Sequence, residues 1–180
     1  MPATRFNQTV EIKARCADHT RIRRLLKSRG AKFLSRETQT DIFYRVSEGR
    51  LKLRKSKSEK YLIGYQRPDS RGAKQCLVDL YEYNDPGSLD RVLTGVLGRR
   101  LTVRKRRERW LLGSVKFHLD RVDKLGTFLE IEVLGTRGKD DPEDLKRTCE
   151  EWLELCGVSP EDLVKVAYAD LLEELEACSA

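Results

Sequence analysis

The chain has 180 residues, of which 39% are hydrophobic and 36% are charged, which suits one domain with a sizeable core and is short for two. It has no apolar run of membrane-spanning length, no signal-peptide core and no cysteine spacing that favours zinc or disulfides, so we expect a cytoplasmic protein with reduced thiols. The net charge of +7 favours a polyanionic partner, without distinguishing nucleic acid, a membrane surface and small phosphates.

Hydrophobic periodicity predicts eight strands and four helices. In chain order they are a strand over 9–15, a helix over 18–30, strands over 38–45, 51–55, 61–67 and 75–83, a helix over 85–98, strands over 101–108, 110–121 and 127–134, a helix over 141–157 and a helix from 159 onward. Each helix begins at an Asp or Ser that can cap it, and the last three have proline next. The fourth helix is predicted to include apolar residues from Leu163 to Leu175. Polar loops are predicted over 68–74 and 135–141.

The polar faces of these strands carry charged side chains at alternate positions. The pairs are Glu11 and Lys13, Lys52 and Arg54, Lys105 and Arg107, His118 and Asp120, and Glu130 and Glu132. For any single pair a solvated outer face is the commoner arrangement. Most of the strands carry such a pair, however, and their other faces are apolar enough to pack against helices. Because eight strands can close a barrel, we predict an α+β fold whose helices cover the outside and whose charged faces line the lumen.

A lumen of this composition indicates a metal-bound polyphosphate ligand. Two carboxylates about 4 Å apart repel each other by roughly 4 kcal/mol at an effective dielectric constant near 20, so several cannot stay ionised together without a cation. Carboxylate oxygens suit Mg²⁺ or Mn²⁺, and magnesium commonly combines one or two carboxylates with waters and substrate phosphates. The surplus lysines and arginines would neutralise the remaining phosphate oxygens.

Short segments along nearly the whole chain resemble one known family in the family's order. They are EIK at 11–13, QTDIFY at 39–44, GRLKLR at 49–54, LIGYQRP at 62–68, VRKRR at 103–107, LDRV at 119–122, LGTFLEIE at 125–132 and YADLL at 168–172. Together they resemble the CYTH superfamily, which is named for class IV adenylyl cyclase (CyaB) and thiamine triphosphatase, and within it the CyaB branch. No single segment is specific, but the ordered set is.

The resemblance implies one CYTH-like domain over residues 1–180, with an eight-stranded antiparallel tunnel that holds a triphosphate. The residues that it implies for triphosphate binding are Lys13, Lys52, Arg54, Arg67, Lys105 and Arg107. It implies four carboxylates as metal-binding and catalytic residues for Mg²⁺ or Mn²⁺, namely Glu11, Asp120, Glu130 and Glu132.

Two positions depart from the family pattern. Thr9 replaces the first glutamate of the opening E-x-E-x-K signature, and Ala167 replaces the usual serine before the final tyrosine motif. Because magnesium needs few protein carboxylates, we expect one metal to be retained and a second to be weakened.

Three classes of function follow from these residues. Hydrolysis of an inorganic or organic triphosphate is favoured over cyclisation of ATP to cyclic AMP and pyrophosphate, because cyclisation also needs a pocket that orients adenosine. A binding module that has lost efficient chemistry with its first glutamate is the second class. Nucleic-acid binding rests on the basic runs at 99–100 and 104–107 and is disfavoured, because a strand sends alternate residues to opposite sides and acidic pairs would repel the backbone. The expected partner is thus a triphosphate or ATP, with no membrane, and a homodimer is compatible with the sequence.

Overall fold

The computed structural model describes residues 8–66, 72–136 and 138–178, and in these ranges eight antiparallel strands form a closed barrel. The strands are β1 (Gln8–Arg15), β2 (Lys32–Tyr44), β3 (Arg50–Lys55), β4 (Lys60–Gln66), β5 (Lys74–Glu82), β6 (Arg99–Leu112), β7 (Val115–Val122) and β8 (Gly126–Gly135). Their order around the barrel is β1-β5-β4-β3-β2-β6-β7-β8, with β8 pairing back to β1. The helices are α1 (His19–Ser28), α2 (Pro86–Leu97), α3 (Pro142–Leu155) and α4 (Tyr168–Cys178).

The predicted barrel is confirmed, but the predicted bounds of two strands are wrong, since β2 begins at Lys32 and not at residue 38, and β6 ends later than predicted. β6 does not stop at residue 108 but continues to Leu112, so the first residues of the strand predicted over 110–121 belong to β6. The reversal occurs at Gly113, whose φ of +57° suits glycine, and Leu112 pairs with Val115 across it. Residue 67 and the first residues of the loop predicted over 68–74 lie outside the described ranges.

The first three helices form where their caps predict them. The side chain of Asp18 accepts a hydrogen bond from the backbone N–H of Arg21 at 2.9 Å, and Asp85 and Asp141 cap α2 and α3 in the same way. None of the helices in the described ranges is long and apolar enough to cross a membrane.

The prediction of a fourth helix from Ser159 is wrong. Ser159 caps only a short 3₁₀ turn over Pro160–Asp162, and α4 begins at Tyr168. Between them the chain runs extended beside β1, where the backbone N–H of Val164 donates to the carbonyl of Lys13 at 2.8 Å. Burial of Val164 and pairing with β1 thus override the local helical pattern. The consequence is that Ala167 and Tyr168 lie against the interior of the barrel.

Two of the three hydrophobic clusters lie outside the barrel wall, whereas the third, which includes Phe43, Val103 and Phe128, lies on the inward faces of the strands against α4. The outward-facing residues of β1, β7 and β8 pack under α1 and α3, where the fully buried side chains include Val10, Ile12, Phe117, Leu129, Ile131, Ile22 and Leu26. A second group, formed by Ile42, Tyr44 and Leu53, packs against α2. Because strand residues alternate between the two sides of the sheet, this packing directs the charged residues into the lumen, as the sequence predicts.

Candidate functional site

The barrel surrounds a cavity of about 220 Å³ that is lined by both charged and apolar side chains. Among the described residues, seven cations line it, namely Lys13, Lys52, Arg54, Lys105, Arg107, Arg109 and Lys116. Five carboxylates line it as well, namely Glu11, Asp41, Glu59, Glu130 and Glu132. The cavity lining therefore carries an excess of positive charge and can accept an anion.

One group of cations converges on Asp41, a carboxylate of β2 that is almost fully buried. Arg54 donates to it through two nitrogens, both at 2.8 Å, while Lys105 lies 3.1 Å and Lys52 3.3 Å from the same carboxylate. Burial alone would raise the pKa of Asp41, but the charges of Arg54, Lys105 and Lys52 hold it well below its usual value. One carboxylate thus keeps three cations in place at the cavity wall.

A second group of charges surrounds Arg107 of β6. Arg107 donates to both oxygens of Asp120 at 2.7 and 2.5 Å, and it lies 3.2 Å from Glu130. Glu130 also contacts Lys13 at 3.3 Å and the Nδ1 atom of His118 at 3.2 Å. Burial tends to raise the pKa of Glu130, but Arg107 and Lys13 hold it well below its usual value. Every carboxylate in this group is therefore ionised and bound to a cation.

Tyr168, the first residue of α4, lines the cavity and contacts this second group of charges. Its hydroxyl donates to Asp120 at 2.9 Å, and the amine of Lys13 lies 4.2 Å from the centre of its ring. The extended segment before α4 is what brings Tyr168 into contact with the cavity.

A comparison with known protein families decides the family of this fold, because the CYTH domain model matches residues 7–168. The chain belongs to the CYTH domain family. It is similar in structure to a Pyrococcus horikoshii protein (26% identity, TM-score 0.75, covering 91% of this chain and 98% of that one) and to a candidate adenylate cyclase of Vibrio parahaemolyticus (18%, 0.72, 94% and 99%). It is also similar to a candidate adenylyl cyclase of Hippeastrum described as having a dominant triphosphatase activity (18%, 0.58, 88% and 91%). The comparison with curated proteins gave no match.

Most of the residues that the family resemblance implies lie around the cavity of this CYTH barrel. Five of the predicted triphosphate-binding cations line it, namely Lys13, Lys52, Arg54, Lys105 and Arg107, whereas Arg67 lies outside the described residues. Glu11, Glu130 and Glu132 line it too. Asp120 is fully buried behind Arg107 and Tyr168, so a metal at the cavity surface would reach it only if Arg107 released it.

Two carboxylates of the cavity surface, Glu11 of β1 and Glu132 of β8, fit a magnesium or manganese ion bound jointly with a ligand. They are directly opposite in register, and Lys116 of β7 lies 3.5 Å from Glu132, so a metal ion here would share or replace that ion pair. Across the ranges the structure describes, no three Asp, Glu, His or Cys side chains are grouped closely enough to hold a metal by themselves. Two hard oxygen donors completed by phosphate and water are nevertheless a common magnesium arrangement.

The two departures from the family pattern have different surroundings in the CYTH barrel. Thr9 is on the inward face of β1 with Glu11 and Lys13, but it is buried between Cys76 of β5 and Leu134 of β8 in the register. Ala167 lines the cavity itself. A carboxylate in place of Thr9 would extend the row that Glu11 begins.

Several cavity residues are absent from the predicted site. They are Asp41, Glu59, Arg109, Lys116, His118 and Tyr168. A signal for Arg109 and Lys116 is present, since each continues the alternation of a predicted inward face, and Asp41 falls within a segment that resembles the family. No signal marks Glu59, because it lies in the turn between β3 and β4 and reaches the cavity only through the fold.

The buried amine of Lys105 gives a prediction for pH. Burial and the charge of Arg107 lower the pKa of Lys105 to about 7. In the unfolded chain a lysine has a pKa of about 10.4. Between about pH 7 and pH 10 the unfolded state therefore binds more protons than the folded state, and the contribution of Lys105 to the free energy of unfolding rises with pH. An anionic ligand favours the charged amine, so triphosphate affinity should fall as the pH rises above about 7.

Calorimetric titration of triphosphate at about pH 6 and about pH 8 tests this prediction. Lys105→Arg stays charged at both values and should show a smaller loss of affinity, while the ligand's own titration affects both proteins equally. An identical pH dependence in the two proteins would contradict the role given to Lys105.

Proposed function

We propose that this CYTH-domain protein binds a metal-bound triphosphate in its barrel and hydrolyses it at the terminal phosphorus. The observation that supports the proposal is the convergence of Lys52, Lys105 and Arg107 on one cavity that carboxylates also line. A triphosphate is a ligand whose closely spaced negative charges match such a set of cations.

The chain's own residues would act mainly by positioning and charge neutralisation, which account for most of the catalysis of phosphoryl transfer. Arg54 and Arg107 are held in place by the buried carboxylates Asp41 and Asp120, and a phosphate would reach Nη1 of Arg54 by displacing Glu59. Glu11 and Glu132, together with Glu130, would hold Mg²⁺ or Mn²⁺. The ion, when bound, supplies charge neutralisation and polarises the phosphate for attack by water.

The cavity suits the triphosphate part of a ligand, because its volume of about 220 Å³ is below the range of roughly 300–1,000 Å³ that encloses drug-sized ligands. Hydrolysis needs only the triphosphate and water in place, whereas cyclisation also needs an oriented adenosine. A ribose and base would have to extend beyond the cavity. Class IV-type adenylyl cyclase activity on ATP is the alternative reaction, since it uses the same triphosphate site.

Binding of a triphosphate without turnover is the third hypothesis, and the presence of Thr9 supports it. The chain lacks the first carboxylate of the family signature, and Asp120 is already engaged by Arg107 and Tyr168. A protein with this site could retain phosphate affinity while holding its metal too weakly for efficient chemistry.

Product analysis separates the three readings. The pure protein is incubated with inorganic triphosphate, ATP and thiamine triphosphate in Mg²⁺ or Mn²⁺, and the products are identified. Triphosphatase activity releases orthophosphate, whereas cyclase activity gives cyclic AMP and pyrophosphate from ATP. Tight binding without any product would favour the binding module and contradict the proposed hydrolysis.

Restoring a carboxylate at Thr9 should move metal affinity and stability in opposite directions. Thr9→Glu adds a hard oxygen donor beside Glu11, so we expect several-fold tighter Mn²⁺ binding and faster turnover. Because position 9 is buried, the metal-free variant should lose roughly 1–3 kcal/mol of stability. Melting temperature in chelator and Mn²⁺ titration measure the two effects. A variant that binds metal no better than the natural protein would mean that Thr9 does not occupy a ligand position.

A further inference from the structure

The turn between β3 and β4, residues 56–59, places a carboxylate at the cavity. Glu59 ends this turn and lines the cavity. The backbone N–H of Ser56 donates to the carbonyl of Glu59 at 3.0 Å, and the N–H of Glu59 donates to Oγ of Ser56 at 2.9 Å. These two hydrogen bonds join the first and last residues of the turn, so the turn can move together with Glu59.

The carboxylate of Glu59 binds two of the cavity arginines. It lies 3.2 Å from Nη1 of Arg54 and forms a second ion pair with Nη1 of Arg109, while Nε2 of Gln39 donates to it at 2.8 Å. Burial would raise the pKa of Glu59, but Arg54 and Arg109 lower it to about 2, so the group is ionised at neutral pH.

The guanidinium nitrogens of Arg109 contact side chains of β2 and of the turn between β3 and β4, including Glu37 at 3.6 Å. Its Nε donates to Oγ of Ser35 and its Nη2 donates to Oγ of Ser58, both at 2.9 Å, while Nη1 contacts Glu59. Ser58 is in turn held by Glu37, whose carboxylate accepts its hydroxyl at 2.6 Å. A phosphate can therefore gain the Nη1 donor of Arg109 only by competing with Glu59.

Glu59 differs from Asp41, the other carboxylate on Arg54, in the element that carries it. Asp41 lies within β2, is almost fully buried and is fixed by the ladders on both sides. Glu59 lies in a turn and its side chain keeps 18% of its exposure. Asp41 is thus the structural carboxylate, held within a strand, and Glu59 is the displaceable one, carried by a turn.

We propose that Glu59 determines ligand specificity by occupying, in the ligand-free protein, the place of a phosphate on Arg54 and Arg109. This inference rests on the proposed function, because it concerns the same triphosphate site. An anion that contacts few cations gains too little to displace the carboxylate, whereas a triphosphate that also reaches Lys52 and Lys105 offsets the loss. Glu59 thereby excludes orthophosphate and returns to the arginines when a product leaves.

Calorimetric titration of inorganic triphosphate and of orthophosphate into three proteins tests the proposal. The proteins are the natural chain, Glu59→Gln and the control Glu37→Gln, which removes a carboxylate of equal size that holds the same turn and lies 3.6 Å from Nη2 of Arg109, but is not part of the cavity lining. Glu59→Gln should bind triphosphate about tenfold more tightly and should bind orthophosphate measurably. Glu37→Gln should stay within about twofold of the natural chain.

The ligand-free melting temperature gives the second readout. Glu59→Gln loses two ion pairs and should melt lower while binding more tightly, a combination that a merely supportive residue would not produce. If that variant does not fold, Glu59→Asp keeps the charge with a shorter reach and should show a smaller gain of the same sign.

Three results would overturn the inference. Triphosphate affinity that is unchanged or weaker in the folded Glu59→Gln variant would show that the carboxylate does not compete. An equal gain in Glu59→Gln and Glu37→Gln would assign the effect to opening of the turn or to loss of any carboxylate beside Arg109, and not to displacement of Glu59 from the cavity. If neither the natural chain nor Glu59→Gln binds triphosphate, the proposed function itself fails and the inference fails with it. Binding by the natural chain without a gain in Glu59→Gln contradicts the inference alone.

Discussion

Arg107→Ala is expected to abolish triphosphate binding and to lower the free energy of unfolding by about 3–5 kcal/mol. Arg107 is buried and binds both Asp120 and Glu130, so its removal leaves two buried carboxylates without their main partner. The effect on the ligand has a separate cause, which is the loss of a positively charged side chain from the cavity lining.

The neighbouring residue on the same strand provides a matched control. Arg106 points to the outside of the barrel and is exposed, so Arg106→Ala removes the same charge without changing the cavity lining. Urea unfolding and the triphosphate-induced rise in melting temperature measure stability and binding. If Arg107→Ala is too unstable to titrate, Arg107→Lys takes its place in the test, because it keeps a positive charge at this position. A triphosphate-induced melting shift that survives both Arg107→Ala and the double change Lys105→Ala with Arg107→Ala would contradict the assignment of the lumen.

The double change Glu130→Gln with Glu132→Gln is expected to reduce Mn²⁺ affinity by at least about tenfold. Both side chains line the cavity from one face of β8, and the change preserves their size while removing two hard anionic donors. Loss of Glu130 also leaves Lys13 and Arg107 with one fewer partner, so triphosphate should still bind when metal is absent.

Titration of Mn²⁺ in the presence of triphosphate measures the effect of this double change. The control Glu150→Gln with Glu151→Gln removes two neighbouring exposed carboxylates from α3 and should leave the affinity unchanged. Undiminished Mn²⁺ affinity in the β8 variant would mean that Glu130 and Glu132 serve only as partners of Lys13, Arg107, His118 and Lys116.

Strand alternation alone predicts the barrel and much of its charged interior. Each pair such as Lys52 and Arg54 marks an inward face, and the eight strands close with those faces inside. Alternation does not give the register, however. It cannot show that Arg107 lies directly opposite Asp120, where the two form a buried ion pair. Nor can it show that Glu11 lies opposite Glu132, where both carboxylates line the cavity.

Tertiary contacts determine the parts that local patterns miss. The apolar residues after Ser159 have helical spacing, but Val164 pairs with β1 and delays α4 until Tyr168. Glu59 has no periodicity because it lies in a turn, and only the closed barrel brings it to Arg54 and Arg109. Sequence patterns therefore predict the strand residues that line the cavity better than they predict Tyr168 of α4 and Glu59 of the β3–β4 turn.

A crystal structure of the protein soaked with inorganic triphosphate and Mn²⁺ tests directly whether the barrel binds a metal-bound triphosphate. We expect three phosphates inside the barrel, in contact with Lys52, Lys105 and Arg107, and an anomalous manganese peak beside Glu11 and Glu132. Phosphates bound only on the outer face of the sheet, with the ion pairs of the lumen unchanged and no manganese in the barrel, would contradict this expectation.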